Sequence, residues 1–271
     1  QGQLAVAKDI VSKINEIYVS KQTNKFLTGT ITSIDQVKLY GEVTNCVSIV
    51  YDNYKVIIPA SELGVRDDVR VIRSMIGAEI DFIITDIAKD VNIAIGSRIK
   101  AMETKRKINA NKDFTDKTIT AKVTGIGRNG IYVEALGVET MIPKQEVDYG
   151  FITNLRDYVQ IGEKVQCKVI TADIANNKLE LSMKALKEDP YANLEEKFPL
   201  KSEHLASITN IQPYGVFLTF DENPKITVLC PIPKWNNFSP ALRDKYVVRI
   251  KKINENKING TLMRFVKSAD E

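Results

Sequence analysis

Ala121-Lys122-Val123-Thr124-Gly125-Ile126-Gly127-Arg128-Asn129-Gly130-Ile131-Tyr132-Val133-Glu134-Ala135 is the stretch whose reading decides the fold. Gly125, Gly127 and Gly130 satisfy Gly-x-Gly-x-x-Gly, the spacing of a dinucleotide-binding turn. That turn has to open a helix, because the helix N-terminus meets the pyrophosphate. Here the β-branched run Ile131-Tyr132-Val133 follows instead, and Asn129-Gly130 is a pair that tolerates positive φ in a tight hairpin. Two strands and a turn are expected, and no nucleotide loop.

The same pattern occurs three times. Gly29-Thr30-Ile31-Thr32-Ser33-Ile34, Ala121-Lys122-Val123-Thr124-Gly125-Ile126 and Ala206-Ser207-Ile208-Thr209-Asn210-Ile211 share a small residue, a β-branched apolar, a Thr and an Ile. Downstream of each comes an apolar run stopped by proline: Lys55-Val56-Ile57-Ile58-Pro59, Glu139-Thr140-Met141-Ile142-Pro143 and Thr227-Val228-Leu229-Cys230-Pro231. Ile76-Gly77-Ala78-Glu79-Ile80-Asp81-Phe82 parallels Ile161-Gly162-Glu163-Lys164-Val165-Gln166-Cys167, a turn glycine leading into alternation; the third copy lacks that glycine. Repeats of this kind fix domain boundaries. Short alternating runs with turn signals between them predict a mainly β chain of three tandem five-stranded barrels, over 24–100, 114–184 and 201–267.

Three further segments lie outside the repeats. Leu4, Ala7, Val11, Ile14 and Tyr18 recur at helical spacing, with Ile10 and Ile17 widening the stripe, so residues 1–23 are expected to hold a short amphipathic helix. It would pack on the first barrel, or dock on a protein partner or a second copy. Residues 101–113, with Lys105-Arg106-Lys107, read as a basic and partly helical linker, and 185–200, interrupted at Asp189-Pro190, as a second helical one.

Composition excludes several classes. With 44% hydrophobic and 27% charged residues, the 271-residue chain should fold rather than stay disordered. No apolar run approaches the roughly 18 residues of a membrane helix, and Gln1-Gly2-Gln3-Leu4 opens no signal core, so a cytoplasmic protein with no membrane partner is expected. Cys46, Cys167 and Cys230 are too far apart in sequence for a zinc knuckle and are expected reduced and packed. With the single histidine, His204, and no convincing carboxylate pair, neither a metal, a cofactor nor a catalytic residue is expected, and the chain reads as no enzyme. The net charge of +4 says little, but its distribution says more. Residues 199–267 hold eleven Lys/Arg against five Asp/Glu, net +6; residues 114–186 hold nine of each; residues 24–100 hold nine against ten.

The ordered motifs resemble the S1-motif family, an RNA-binding OB-fold domain. The second repeat carries the likeness best, through Val123-Thr124-Gly125-Ile126, Asn129-Gly130-Ile131-Tyr132-Val133, Met141-Ile142-Pro143, Ile161-Gly162-Glu163-Lys164-Val165 and Leu179-Glu180-Leu181-Ser182-Met183-Lys184. Tyr214-Gly215-Val216-Phe217-Leu218 is similar to the family's aromatic-Gly-small-Phe signature, and Leu181 to Tyr191 is similar to the connector between repeats in its ribosomal members. The first repeat matches least, with Asp35 to Asn45 inserted before its second strand.

The resemblance implies RNA lying across the second and third strands of each barrel, with aromatics stacking bases. The matching positions are Tyr132, Tyr214 and Phe217, while the family's third-strand histidine is replaced by Pro59, Pro143 and Pro231. Its acidic and basic pair maps to Asp173 with Lys178 and to Asn254 with Lys257. Arg249, Lys251, Lys252 and Lys257 are expected to carry most phosphate contacts and Lys105 to Lys107 a smaller share, only one of Lys251 and Lys252 reaching the strand because neighbours alternate across a sheet. The leading reading is a single-stranded RNA-binding protein associated with translation or RNA metabolism. Single-stranded DNA is an alternative ligand, and an interaction module of a ribosome, transcription or phage assembly an alternative function.

Overall fold

The computed structural model describes residues 16–269, which fall into two compact units. Of the described residues, one unit comprises 16–147 together with Thr153–Leu186, and the other comprises Asp148–Ile152 together with 187–269. Most of the helix expected near the N-terminus lies outside the described residues. Its described part, residues 16–23, is helical (α1), with Ile17 in the first barrel's core and the Ser20 hydroxyl accepting from Ile84 N–H at 3.0 Å.

In the first unit, β1 (Leu27–Leu39), β2 (Glu42–Tyr51), β3 (Tyr54–Pro59), β4 (Glu79–Ala88) and β5 (Ile93–Ser97) form a closed barrel in the order β1-β2-β3-β5-β4. Alternation places Ile31, Ile49, Val56, Ile58, Ile80, Phe82 and Ile84 inside. The inserted stretch Asp35 to Asn45 prolongs the β1–β2 ladder out to Leu39 opposite Glu42, turned at Tyr40 and Gly41, both at positive φ. A short helix, α2 (Val69–Ser74), is capped by Asp68, whose side chain accepts from Arg70 N–H.

The middle strands β6 (Thr118–Ile126), β7 (Gly130–Ala135), β8 (Val138–Pro143), β9 (Lys164–Asp173) and β10 (Lys178–Ser182) follow the order β10-β9-β6-β7-β8. The first barrel is closed by a parallel β3–β5 ladder, but this sheet has no ladder between β8 and β10. The Thr140 hydroxyl donates to Leu179 C=O at 2.7 Å across that seam. The expected set of three barrels is therefore two closed barrels and one five-stranded sheet. Asn129-Gly130 makes no positive-φ turn either: Ile126 pairs with Ile131 across a four-residue loop closed by Gly127 N–H to Gly130 C=O, which spreads the reversal over more residues.

The repeat extends to side chains that sequence similarity does not show. Ser97 at the end of β5 donates to Glu62 in the turn after β3, and Ser182 at the end of β10 donates to Glu146 after β8 at 2.6 Å. Each hydroxyl also accepts from a backbone N–H three residues on, Lys100 and Ala185. The repeat glycines meet directly: a Cβ on Gly162, at φ +85°, would lie 2.3 Å from Gly77 C=O, so no larger residue fits.

Residues 101–113, expected as a linker, are mostly helix α3 (Arg98–Asn109), with Arg98, Ala101 and Met102 buried. Ser97 caps it, and it packs on the β7–β8 turn because Gly137 has no Cβ to strike Met102 C=O at 2.3 Å. Lys105 Nζ reaches Asp81 at 2.7 Å and Glu134 at 3.0 Å, and Lys122 Nζ reaches Asp81 at 3.0 Å and Glu79 at 3.3 Å. Asp81 also accepts from Thr28 Oγ1 at 2.6 Å. Burial pushes the Asp81 carboxyl up, but Lys105, Thr28 and Lys122 outweigh it and bring it down to about 2. For Lys105, burial works downward while Glu134 and Asp81 raise the ammonium above its ordinary value.

The second unit is a closed barrel of β11 (Glu203–Gln212), β12 (Gly215–Phe220), β13 (Asn223–Cys230), β14 (Lys245–Asn254) and β15 (Lys257–Lys267), in the order β11-β12-β13-β15-β14. Residues 185–200 hold the end of a 3-10 turn (Lys184–Leu186) and a four-residue helix, α4 (Leu194–Lys197), whose Leu194 and the following Phe198 enter the core. Asp148 belongs to this unit, paired with Lys187 at 2.8 Å and Lys225 at 2.9 Å. No helix among the described residues is long and apolar enough to cross a membrane.

Two outcomes follow. Because the folded Asp81 pKa lies below its unfolded value, the carboxylate contributes about 2 kcal/mol that is present above pH ~4 and lost as pH falls toward ~2. The stability gap between the wild type and Asp81→Asn, measured by denaturant melts, should shrink across that window. Secondly, Cys46, Cys167 and Cys230 are buried, which pushes the first two thiols up to about 11 and the last to about 12. Thiol titration with an aromatic disulfide should find no reactive cysteine in the native protein and all three after unfolding.

Candidate nucleic-acid interface

The closed barrel of the second unit brings four of the sequence-predicted residues together: Tyr214, Phe217, Lys251 and Lys252. Gln212 pairs with Gly215 across the β11–β12 turn, which lifts Tyr214 to 64% exposure. Phe217, on β12, lies half-buried beside it, with ring centroids 6.3 Å apart and planes at 88°. Edge-to-face pairs of this kind hold an aromatic in place while leaving a face open.

A groove of about 320 Å³ opens at Tyr214, lined by Leu229, Pro231, Lys251, Lys252 and Asn259. Both lysines border it, contrary to the expected alternation. Ile250 pairs with Gly260 and Lys252 with Asn259, so Lys251 is the extra residue of a β-bulge. A bulge breaks the two-residue period, and two neighbouring ammonium groups can then serve one side. Asn259 was missed by sequence reasoning, since only the bulged register brings it to this groove.

Other predicted residues stand elsewhere. Arg249 is held by Glu203, its cross-strand neighbour, through Nε at 3.0 Å and Nη2 at 2.6 Å. Asn254 and Lys257 are exposed cross-strand partners at the end of the β14–β15 hairpin. Asp173 and Lys178 are the corresponding pair of β9 and β10, with the Asp173 carboxylate accepting from the backbone N–H of Asn176 at 3.3 Å and its side-chain amide at 2.8 Å. That carboxylate shapes a turn. Lys105 is spent on Asp81 and Glu134, and Arg106 donates to Gly137 C=O at 2.8 Å, so neither is a free phosphate contact.

Tyr132, 45% exposed on β7, borders a different cleft of about 680 Å³ within the first unit. Thr124 and Met141 flank it on the middle sheet, and Val71 and Met75 of the first barrel line the cleft as well. The first barrel thus shares the cleft at Tyr132.

His204 sits among Phe198 and Phe220, its Nδ1 2.6 Å from Glu222 and its Nε2 2.7 Å from Ser202 Oγ. The order serine, histidine, carboxylate has the outline of a hydrolytic triad. The Ser202 hydroxyl, however, also lies 2.5 Å from Pro199 C=O, where it braces the turn entering β11. Among the described residues no group of three or more His, Cys, Asp or Glu is placed to hold a metal ion.

Residues 112–184 match the family described as S1 RNA binding domain. The chain is 27% identical over 177 residues to a 4-hydroxy-3-methylbut-2-enyl diphosphate reductase of Clostridium acetobutylicum, covering 63% of this chain and 27% of that protein. It is 26% identical over 163 residues to the small ribosomal subunit protein bS1 of Coxiella burnetii, covering 59% of this chain and 30% of that one. The chain therefore spans less than a third of either relative. Among solved structures it is similar to a chain of the a/eIF2alpha–aDim2p–rRNA complex of Pyrococcus horikoshii, at 27% identity and a TM-score of 0.27, over 29% of this chain and 48% of that one. The five strands from Thr118 to Ser182, with the residues flanking them, are the part of the chain that matches the S1 RNA binding domain family.

Proposed function

We propose that the chain is a non-enzymatic, single-stranded RNA-binding protein associated with translation, in which S1-type elements bind by base stacking and phosphate contact. The observation that carries this reading is the groove at Tyr214, where an exposed ring meets two lysines brought to one side by a bulge. Stacking on an aromatic contributes about 1–3 kcal/mol per base and is indifferent to sequence, since every base has a π-face. Lysines add the salt-dependent part through counterion release. The net charge of +6 over 199–267 fits a polyanion on this barrel, and the bS1 relatives suggest the setting. Tyr132 would offer a second stacking face, and several modest sites on one chain raise avidity through effective concentration.

Fluorescence anisotropy with a labelled single-stranded RNA of ~20 nucleotides across a salt series tests this. Each neutralised phosphate contributes about −0.7 to the slope of log affinity against log salt, so replacing Lys251 and Lys252 together by Ala should flatten it by about 1.4. Phe217→Ala should weaken binding with the slope retained, and Arg249→Ala should leave the slope unchanged. Salt-insensitive binding to ribosomes with no affinity for free strands would replace this reading by that of an assembly scaffold.

A further inference from the structure

We propose that the second unit carries another nucleobase site, an aromatic pocket formed by the β13–β14 connection, separate from the Tyr214 groove. The inference rests on the RNA-binding reading above and assigns it a further contact surface. The connection contains Pro231-Ile232-Pro233-Lys234-Trp235-Asn236-Asn237-Phe238-Ser239-Pro240 and folds over the start of β14 and the end of β15. It encloses a cavity of about 350 Å³ walled by Trp235, Phe238, Tyr246 and Phe265. Trp235 and Tyr246 stand 6.2 Å apart at 27°, and Phe265 meets Tyr246 edge-on at 5.4 Å and 70°.

Four rings around one cavity would ordinarily close into core. Tyr246 does, at 4% exposure, but Trp235 and Phe265 remain 38% and 49% exposed. Large aromatics left open beside one another mark a surface that a ligand covers. The rim indicates its chemistry. The side chains of Asn236, Asn237, Ser239 and Ser268 make no hydrogen bond among the described residues, leaving amides and hydroxyls unspent around an aromatic wall. A flat ring with donors and acceptors on its edge uses both features, whereas an apolar side chain would strand the polar groups.

A cation held by an aromatic cage is the other ligand such walls suit. Here the one acidic wall residue is already occupied: Asp244 accepts from Ala241 N–H at 2.9 Å and Ala269 N–H at 3.3 Å. The exposed residues Lys234, Arg243 and Arg264, each next in sequence to a residue of the pocket wall, make no ion pair among the described residues, so their charge disfavours a cation and attracts phosphates. Tyr246 and Lys251 lie five residues apart on β14, about 15 Å along the strand, close enough for one nucleic-acid strand to engage both sites.

Trp235 is the chain's only tryptophan, so its emission reports on the pocket without labelling. The full chain should be titrated with a single-stranded RNA of ~20 nucleotides while Trp235 emission and its acrylamide accessibility are read, alongside anisotropy of the same labelled RNA. The expected result is strong quenching and acrylamide protection that saturate with the anisotropy. Quenching should persist in Phe217→Ala, and Trp235→Ala and Phe265→Leu should each weaken affinity by about tenfold, with circular dichroism showing the fold retained. If Phe265→Leu fails to fold, the wild-type quenching and Trp235→Ala decide. Anisotropy rising with Trp235 emission and accessibility unchanged, or Trp235→Ala binding like the wild type, overturns the pocket and leaves the RNA-binding reading standing. No anisotropy change overturns both, and emission that responds to tetramethylammonium chloride but not to RNA replaces the base site by a cation cage.

Discussion

Lys105 holds its ammonium between Asp81 of β4 and Glu134 of β7, at 2.7 and 3.0 Å, with both carboxylates nearly buried. Charges so placed are costly to desolvate, and removing any one partner would leave another uncompensated. Lys122, Thr28 and the Gly137 N–H take up the remaining lone pairs, so the group is satisfied as a set. Because its members come from the first barrel, from α3 and from the middle sheet, the network makes one unit of elements that the repeat alone would leave as two. It also fixes the cleft at Tyr132, whose lining comes from both sides of that junction.

The same commitment decides which basic residues are available for a ligand. In α3, Lys105 is paired with Asp81 and Glu134 and Arg106 donates to Gly137 C=O, and on β14 Arg249 is paired with Glu203. In the β14 bulge, two lysines escape pairing and converge on an exposed tyrosine. At the β13–β14 connection, Lys234, Arg243 and Arg264 are next in sequence to residues that line an open aromatic pocket and make no ion pair among the described residues. Net charge by segment points to the basic barrel, but only ion pairing separates residues that can meet a phosphate from residues that cannot.

Much of the fold was legible in the chain. The threefold recurrence, the apolar runs stopped by Pro59, Pro143 and Pro231, and the alternation from Lys164 to Cys167 place strands where the structure has them. These signals are local, because a strand's two-residue period is written in the order of its own side chains. Asn129-Gly130 misled because turn type depends on loop length, and the loop holds four residues rather than two. Trp235 carried a signal that went unused: a lone tryptophan in a loop rich in proline and asparagine has no strand partner to pack against.

By itself the sequence determined the strands, their repetition and the S1 likeness of the middle repeat. It could not determine the bulge that turns Lys251 and Lys252 to one side, the pairing of Arg249 with Glu203, the burial of Lys105, or the absence of a β8–β10 ladder. Each of these depends on register and on contacts between residues distant in the chain. Local periodicity carries no information about which acceptor a distant strand or helix will bring to a given donor, and that choice was left to the tertiary structure.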